Sequence, residues 1–94
     1  MATYILLGTL TDEGAEKLRT HPEWVSEVNR DLEAMGVKII AQYAVLGPYD
    51  IVNIIEAPDN KTVVGVSTQL TLRGSVKITT LPALPIEDFL STLK

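Results

Sequence analysis

Val37–Asp59 reads VKIIAQYAVLGPYDIVNIIEAPD, and its two apolar stretches, Val37–Leu46 and Ile51–Ile55, flank a tight turn written Gly47-Pro48-Tyr49-Asp50. Pro48 presets φ for a turn, and Gly47 tolerates the backbone angles left to a residue before proline. The segment therefore reads as a β-hairpin. Apolar residues occupy both of its alternation sets: Val37, Ile39, Ala41, Tyr43 and Val45 in one, Ile40, Ala44 and Leu46 in the other. An antiparallel sheet with one wet face shows clean apolar–polar alternation instead. Neither face of this sheet is written for water. One can be covered by the chain's own helices, and the other calls for a second subunit, because an exposed apolar face of that size exceeds what monomers carry.

Upstream, Thr3–Leu10 (TYILLGTL) reads as a first strand, with Ile5 and Leu7 opposed to Tyr4, Leu6 and Leu10, and with Gly8 marking a close approach or a bulge. Thr11 then stands as an N-cap, with Asp12 and Glu13 well placed against the helix dipole. This first helical piece runs to about Arg19, presenting Ala15 and Leu18. A restart follows at Thr20-His21-Pro22-Glu23, where Thr20 and Glu23 have capping-box spacing and Pro22 suits a first turn. Val25, Val28, Leu32 and Met35 make one apolar stripe, and Gly36 ends the helix.

Downstream, Pro58 stops the second arm of the hairpin and Asp59 caps a helix over about Asn60–Leu72. Val63, Val66 and Leu70 form its inner face. Its Thr and Val content and Gly65 make it intrinsically weak, so packing must hold it. Ser75–Leu81 alternates as a fourth strand, Pro82 and Pro85 break the pattern, and Ile86–Leu93 forms a short terminal helix with Phe89, Leu90 and Leu93 on its apolar side. The order strand, helix, strand, strand, helix, strand is the α+β, ferredoxin-like βαββαβ arrangement: a four-stranded antiparallel sheet with two helices on one face. It is expected to pair sheet-to-sheet as a dimeric α/β barrel. Residues 1–94 form a single domain, with 85–94 a short C-terminal helical arm suited to reaching a neighbour and building higher assemblies.

Composition narrows the function classes. A chain of 94 residues buries only somewhat over ~60% of the surface its unfolded form exposes. Cysteine is absent, so neither disulfides nor a thiolate metal site can add stability, and His21 is the single histidine. Oligomerisation remains, and 46% apolar residues suit it. Net charge is −4 and the eight Lys and Arg make no run, which argues against nucleic acid. No stretch approaches the ~20 apolar residues of a membrane span. The first residues lack a basic segment followed by an apolar one, so a signal peptide is not expected. The default is a cytoplasmic protein without cofactor.

Three segments, TYILLGTLTDEG at the start, GPYDIVNIIEAPD in the centre and TLPAL near the end, resemble the GYD-domain proteins, small bacterial and archaeal chains named for a Gly-x-Tyr-Asp-like signature. Here the signature stands as Gly47, Tyr49 and Asp50, with Pro48 between the first two. The resemblance covers essentially the whole length and implies a ferredoxin-like fold of the dimeric barrel kind. It implies little about activity: relatives by fold include cofactor-free monooxygenases, small isomerases, haem-handling enzymes and amino-acid-sensing domains. Asn53 departs from the family pattern, which favours an apolar residue there.

The candidate site residues each carry two readings. Tyr49 and Asp50 form either a polar pair at a pocket mouth or, the favoured reading, a turn in which Asp50 bonds backbone N–H groups of the hairpin while Tyr49 packs over it. Gln42 and Asn53, polar within apolar strands, either grip a ligand from a cavity or bond each other or their symmetry mates. His21 is read either as an acid–base group, the role imidazole side chains commonly take, or, from its place beside Pro22, as a surface or capping residue. Trp24 is a pocket wall or, by default, a packing residue. No nucleophile grouping or Gly-rich phosphate loop is present. The leading expectation is a homo-oligomeric binding or structural module taking a small molecule or a protein partner. The alternative is a cofactor-independent enzyme, for which Tyr43, Tyr49, Asn53 and His21 are the polar contributors. A weaker third option, haem or metal handling, rests on His21 alone.

Overall fold

The computed structural model describes every residue from Met1 to Lys94. Strand β1 (Ala2–Leu10) is followed by helices α1 (Asp12–Thr20) and α2 (Trp24–Ala34), the hairpin strands β2 (Lys38–Ala44) and β3 (Ile51–Ala57), helix α3 (Asn60–Leu72), strand β4 (Val76–Ala83) and the terminal helix α4 (Ile86–Ser91). The strands form one antiparallel sheet in the order β2-β3-β1-β4. This is the ferredoxin-like α+β arrangement expected from the pattern. Tyr4 and Leu6 of β1, Ile55 and Ala57 of β3 and Val76 of β4 meet Leu32 of α2 and Val63, Val66 and Leu70 of α3 in one core.

The helices cover only this side. Along β1 the buried residues alternate with Ile5, Leu7 and Thr9, which stay half-exposed on the other face. Ile5 is paired with Ile54 and Leu81, and Leu7 with Val52 and Thr79. Within the protomer that open face has no covering element, although it is largely apolar.

Several boundaries move relative to the periodicity, each for a physical reason. In β2 the register slips between Ile39 and Ala41, so that Ile39 pairs with Ile55 while Ala41 pairs with Ile54. Ile40 is a bulged residue, and bulges reverse the simple alternation beyond them. Ile39 thus packs on the helix side while Ala41 and Tyr43 lie on the open side, where strict parity puts all three together. β2 also ends at Ala44 rather than Leu46. The connection Val45–Asp50 is a wider loop than a tight turn, and Leu46 is fully exposed. At the other end, β4 continues through Pro82 to Ala83, because an outer strand tolerates a residue that cannot donate to a ladder.

The break between α1 and α2 lies where the proline places it, but the capping box does not form. Thr20 Oγ1 donates back to the Glu16 carbonyl at 2.9 Å, and Glu23 at the start of α2 makes no side-chain cap. Thr20 closes one helix instead of opening the next. Gly36 (φ +91°) ends α2 in a Schellman arrangement: the Val37 N–H donates to Leu32 O at 3.2 Å and the Gly36 N–H to Glu33 O at 3.0 Å.

Helix α1 enters against the α3–β4 connection. Thr11 caps it, its hydroxyl accepting from the Gly14 N–H at 3.1 Å and donating to the Gly74 carbonyl at 2.7 Å. The Thr11 N–H donates to Ser75 O at 3.1 Å. The residue that α1 buries is not Ala15 or Leu18 but Gly14.

Helix α3 begins at Asp59, whose carboxylate accepts from the Thr62 N–H at 2.9 Å and from its hydroxyl at 2.8 Å. These bonds, the backbone one foremost, hold the Asp59 carboxyl below the usual aspartate range. A lowered folded-state pKa gives stability that is present at neutral pH and lost as pH falls through the folded value. Replacing Asp59 with Asn, which caps without a charge, is therefore expected to flatten the loss of stability below about pH 4. Chemical denaturation of both proteins between about pH 2 and pH 6 checks this, and superimposable acid limbs would contradict it.

Candidate functional site

Between α2 and the sheet lies a cleft of about 60 Å³. Trp24, Val25, Val28 and Leu32 of α2 line one wall; Gly8, Ile51, Val76 and Ile78 line the floor. The floor is close-packed at Gly8: a Cβ there would sit 3.2 Å from Val76 Cγ2. The polar part of the lining is a chain of three amides at the β2 edge. Asn29 Nδ2 donates to Gln42 Oε1 at 2.8 Å, and Gln42 Nε2 donates to Asn29 Oδ1 at 2.9 Å and to Asn53 Oδ1 at 2.8 Å. Gln42 thereby uses both hydrogens of its amide, while the amino group of half-buried Asn53 makes no bond within the protein.

Gln42 and Asn53 thus bond each other, one of the readings the sequence left open. The third member, Asn29, was not singled out, although it falls three residues before Leu32 and four after Val25 on the same inner stripe. Asn53 stands on a strand face that borders this cleft, and Gln42 supplies the bond its amide oxygen accepts.

The Gly47-Pro48-Tyr49-Asp50 segment lies at the far end of the hairpin, with Gly47 at φ +112°, a conformation that favours glycine. Asp50 ties three segments together. Its N–H donates to Gly8 O at 2.9 Å, its carbonyl accepts from the Val45 N–H at 2.9 Å, and its carboxylate accepts from the Leu10 N–H at 2.9 Å. The carboxylate therefore reaches β1 rather than the hairpin itself. Asp50→Ala is expected to lower stability by about 1 kcal/mol and Asp50→Asn, which keeps one acceptor, by less. Thermal melts of the two variants check this order.

Of the remaining candidates only Trp24 borders the cleft. His21 sits in the α1–α2 link with Nδ1 3.2 Å from Glu23 Oε2 and Nε2 2.5 Å from Glu27 Oε2. Tyr43 lies on the open face of β2, opposite Val52, and Tyr49 is half-buried in the hairpin loop. Trp24 is buried, lines the cleft, and takes the Lys17 ammonium 5.6 Å from its ring centroid. No group of three His, Asp or Glu residues has the geometry to hold a metal ion, and no helix is long and apolar enough to cross a membrane.

With this geometry in place, three comparisons bear on the chain. The family described as the GYD domain matches residues 4–93. A Thermus thermophilus protein named glutamine synthetase and cystathionine beta-lyase binding protein is 54% identical over 95 aligned residues, spanning 100% of both chains. Among solved structures, one described as FFRP-DM1 superposes with a TM-score of 0.60 at 23% identity, over 89% of this chain and 100% of the other. A second Thermus thermophilus protein, TTHA0845, gives 0.60 at 22% identity, over 90% and 95% of the two chains. These two structures are similar in fold.

Proposed function

The chain belongs to the GYD-domain family, and on that premise we propose that it is a small cytoplasmic binding module, homodimeric through its open sheet face, whose partners are enzymes of the kinds in its relative's name. The observation that carries the module reading is the dispersal of the polar groups an enzyme would need. Asn53 faces the cleft, Tyr43 lies on the opposite face of the sheet, and His21 and Tyr49 line neither wall. A cleft of about 60 Å³ is also far below the roughly 300 Å³ at which sites for drug-sized ligands begin. Full-length identity of 54% to a protein named for binding glutamine synthetase and cystathionine beta-lyase supports the choice of partner. The dimer is supported by the open face: Ile5, Leu7, Val52 and Ile54 stay half-exposed in the protomer.

The test is direct binding. The full chain, immobilised, is exposed to purified glutamine synthetase and cystathionine beta-lyase from its own source organism. Saturable binding with Kd of about 10 µM or tighter to at least one enzyme is expected. Silence from both at about 100 µM overturns the partner assignment. Native mass spectrometry showing a retained small molecule, lost on Asn53→Ala, would favour the enzyme alternative instead.

A further inference from the structure

Beyond Ala83 the chain leaves the sheet with its apolar side uncovered. Leu84, Ile86, Phe89, Leu90 and Leu93 are each between 47% and 68% exposed. Every hydrogen bond that α4 makes is local to its own turns. A helix of 6 residues is far too short to hold itself in water, so this segment requires a surface to lie on. Its own core does not offer one.

We propose that the arm Leu84–Leu93 of each protomer clasps a second copy of this chain, closing the sheet-paired dimer from its corners. This rests on the homodimer inferred above and adds the element that completes it. Three observations select the second copy. The first is size. Alternation along four strands gives the open face about fourteen side chains, whereas a stable interface takes roughly 20–30 residues a side. The arm supplies the difference.

The second is charge. The first turn of α4 carries Glu87 and Asp88. Lys38 and Lys77 stand at diagonal corners of the open face, and Lys38 takes part in none of the protomer's ion pairs. Lys38, Glu56, Thr3 and Ala83 form one row across the sheet, so the arm departs from the corner opposite Lys38. Two aligned sheets stacked about a two-fold axis running along the strands bring the partner's Lys38 to that corner of departure. The acidic turn of the arm then meets a cation that forms no ion pair within its own protomer.

The third is the apolar surface beside that lysine. Ile40, the bulged residue of β2, is 49% exposed and lies two positions beyond Lys38. In the clasped dimer it receives Phe89 and Leu90 from the neighbour's arm.

Sedimentation equilibrium of full-length proteins tests this, with far-UV circular dichroism confirming that each variant is folded. Phe89→Glu with Leu90→Glu alters only side chains outside the protomer's core and is expected to raise the dimer Kd at least about 100-fold. Glu87→Lys with Asp88→Lys is expected to raise it about fivefold, and adding Lys38→Glu to that variant to restore it. A dimer whose Kd ignores all arm variants overturns the clasp and leaves sheet pairing standing. A monomeric wild-type chain overturns both. A larger wild-type assembly that falls to dimers when Phe89 and Leu90 are changed also overturns the clasp, because the arm then joins dimers instead of closing one.

Discussion

Replacing Gly14 with Ala is expected to destabilise the fold by about 3 kcal/mol or more and to lower the melting temperature by roughly 12–24 °C. In a helix, Ala normally outranks Gly by about 1 kcal/mol, so the expected sign is opposite to the propensity. The reason is contact. A Cβ on Gly14 would stand 1.8 Å from the Ser75 carbonyl oxygen and 2.8 Å from its carbonyl carbon. Those are backbone atoms, and no side-chain rotation relieves the overlap. Moving α1 outward would stretch the Thr11 N–H bond to Ser75 O and the Thr11 hydroxyl bond to Gly74 O together. Gly65 of α3 supplies the control: a Cβ there meets nothing within 4 Å, so Gly65→Ala is expected to leave stability unchanged or raise it by up to ~1 kcal/mol. Differential scanning calorimetry on both variants decides the matter, and equal shifts would refute the steric account.

The second large effect concerns association. Ile5 and Ile54 are direct cross-strand neighbours on the open face. Changing them together, Ile5→Lys with Ile54→Glu, gives each new charge an opposite partner within the protomer. The sheet is therefore expected to survive. The same pair placed between two apolar sheets would have to be stripped of water, a penalty of several kcal/mol per ion. The dimer Kd is expected to rise about 1,000-fold or more, giving a folded monomer at micromolar concentration. Light scattering coupled to size-exclusion reads the mass. A variant that still elutes as a dimer would place the interface elsewhere.

Element order, strand number and the two-sided apolar character were legible because they depend on short-range periodicity and on punctuation by Gly and Pro. Helix α3 was readable almost to the residue: Asp59 starts it, Val63, Val66 and Leu70 repeat inward, and it ends at Leu72. What escaped was decided by distant partners. Nothing local to Asp12–Thr20 announces that Gly14 faces Ser75, because that contact joins residues far apart in the chain. The bulge at Ile40 is invisible in a run of Ile, Ile and Ala, where any parity looks equally apolar. Thr20 and Glu23 had capping-box spacing, yet the Thr20 hydroxyl was drawn back to the Glu16 carbonyl at the end of α1. Of the candidate site, the Gln42–Asn53 contact was foreseeable from two amides in facing strands. Asn29 was masked by its position among valines and leucines.

The two outer strands also decide how this sheet avoids fibre formation. On one rim, β2 carries the irregularity at Ile40; on the other, β4 carries Pro82, which has no N–H to offer an incoming chain. Unblocked rims would invite copy after copy to add laterally into a ribbon. With both rims blunted, edge-on growth finds no regular ladder to extend, a safeguard that suits a sheet this greasy.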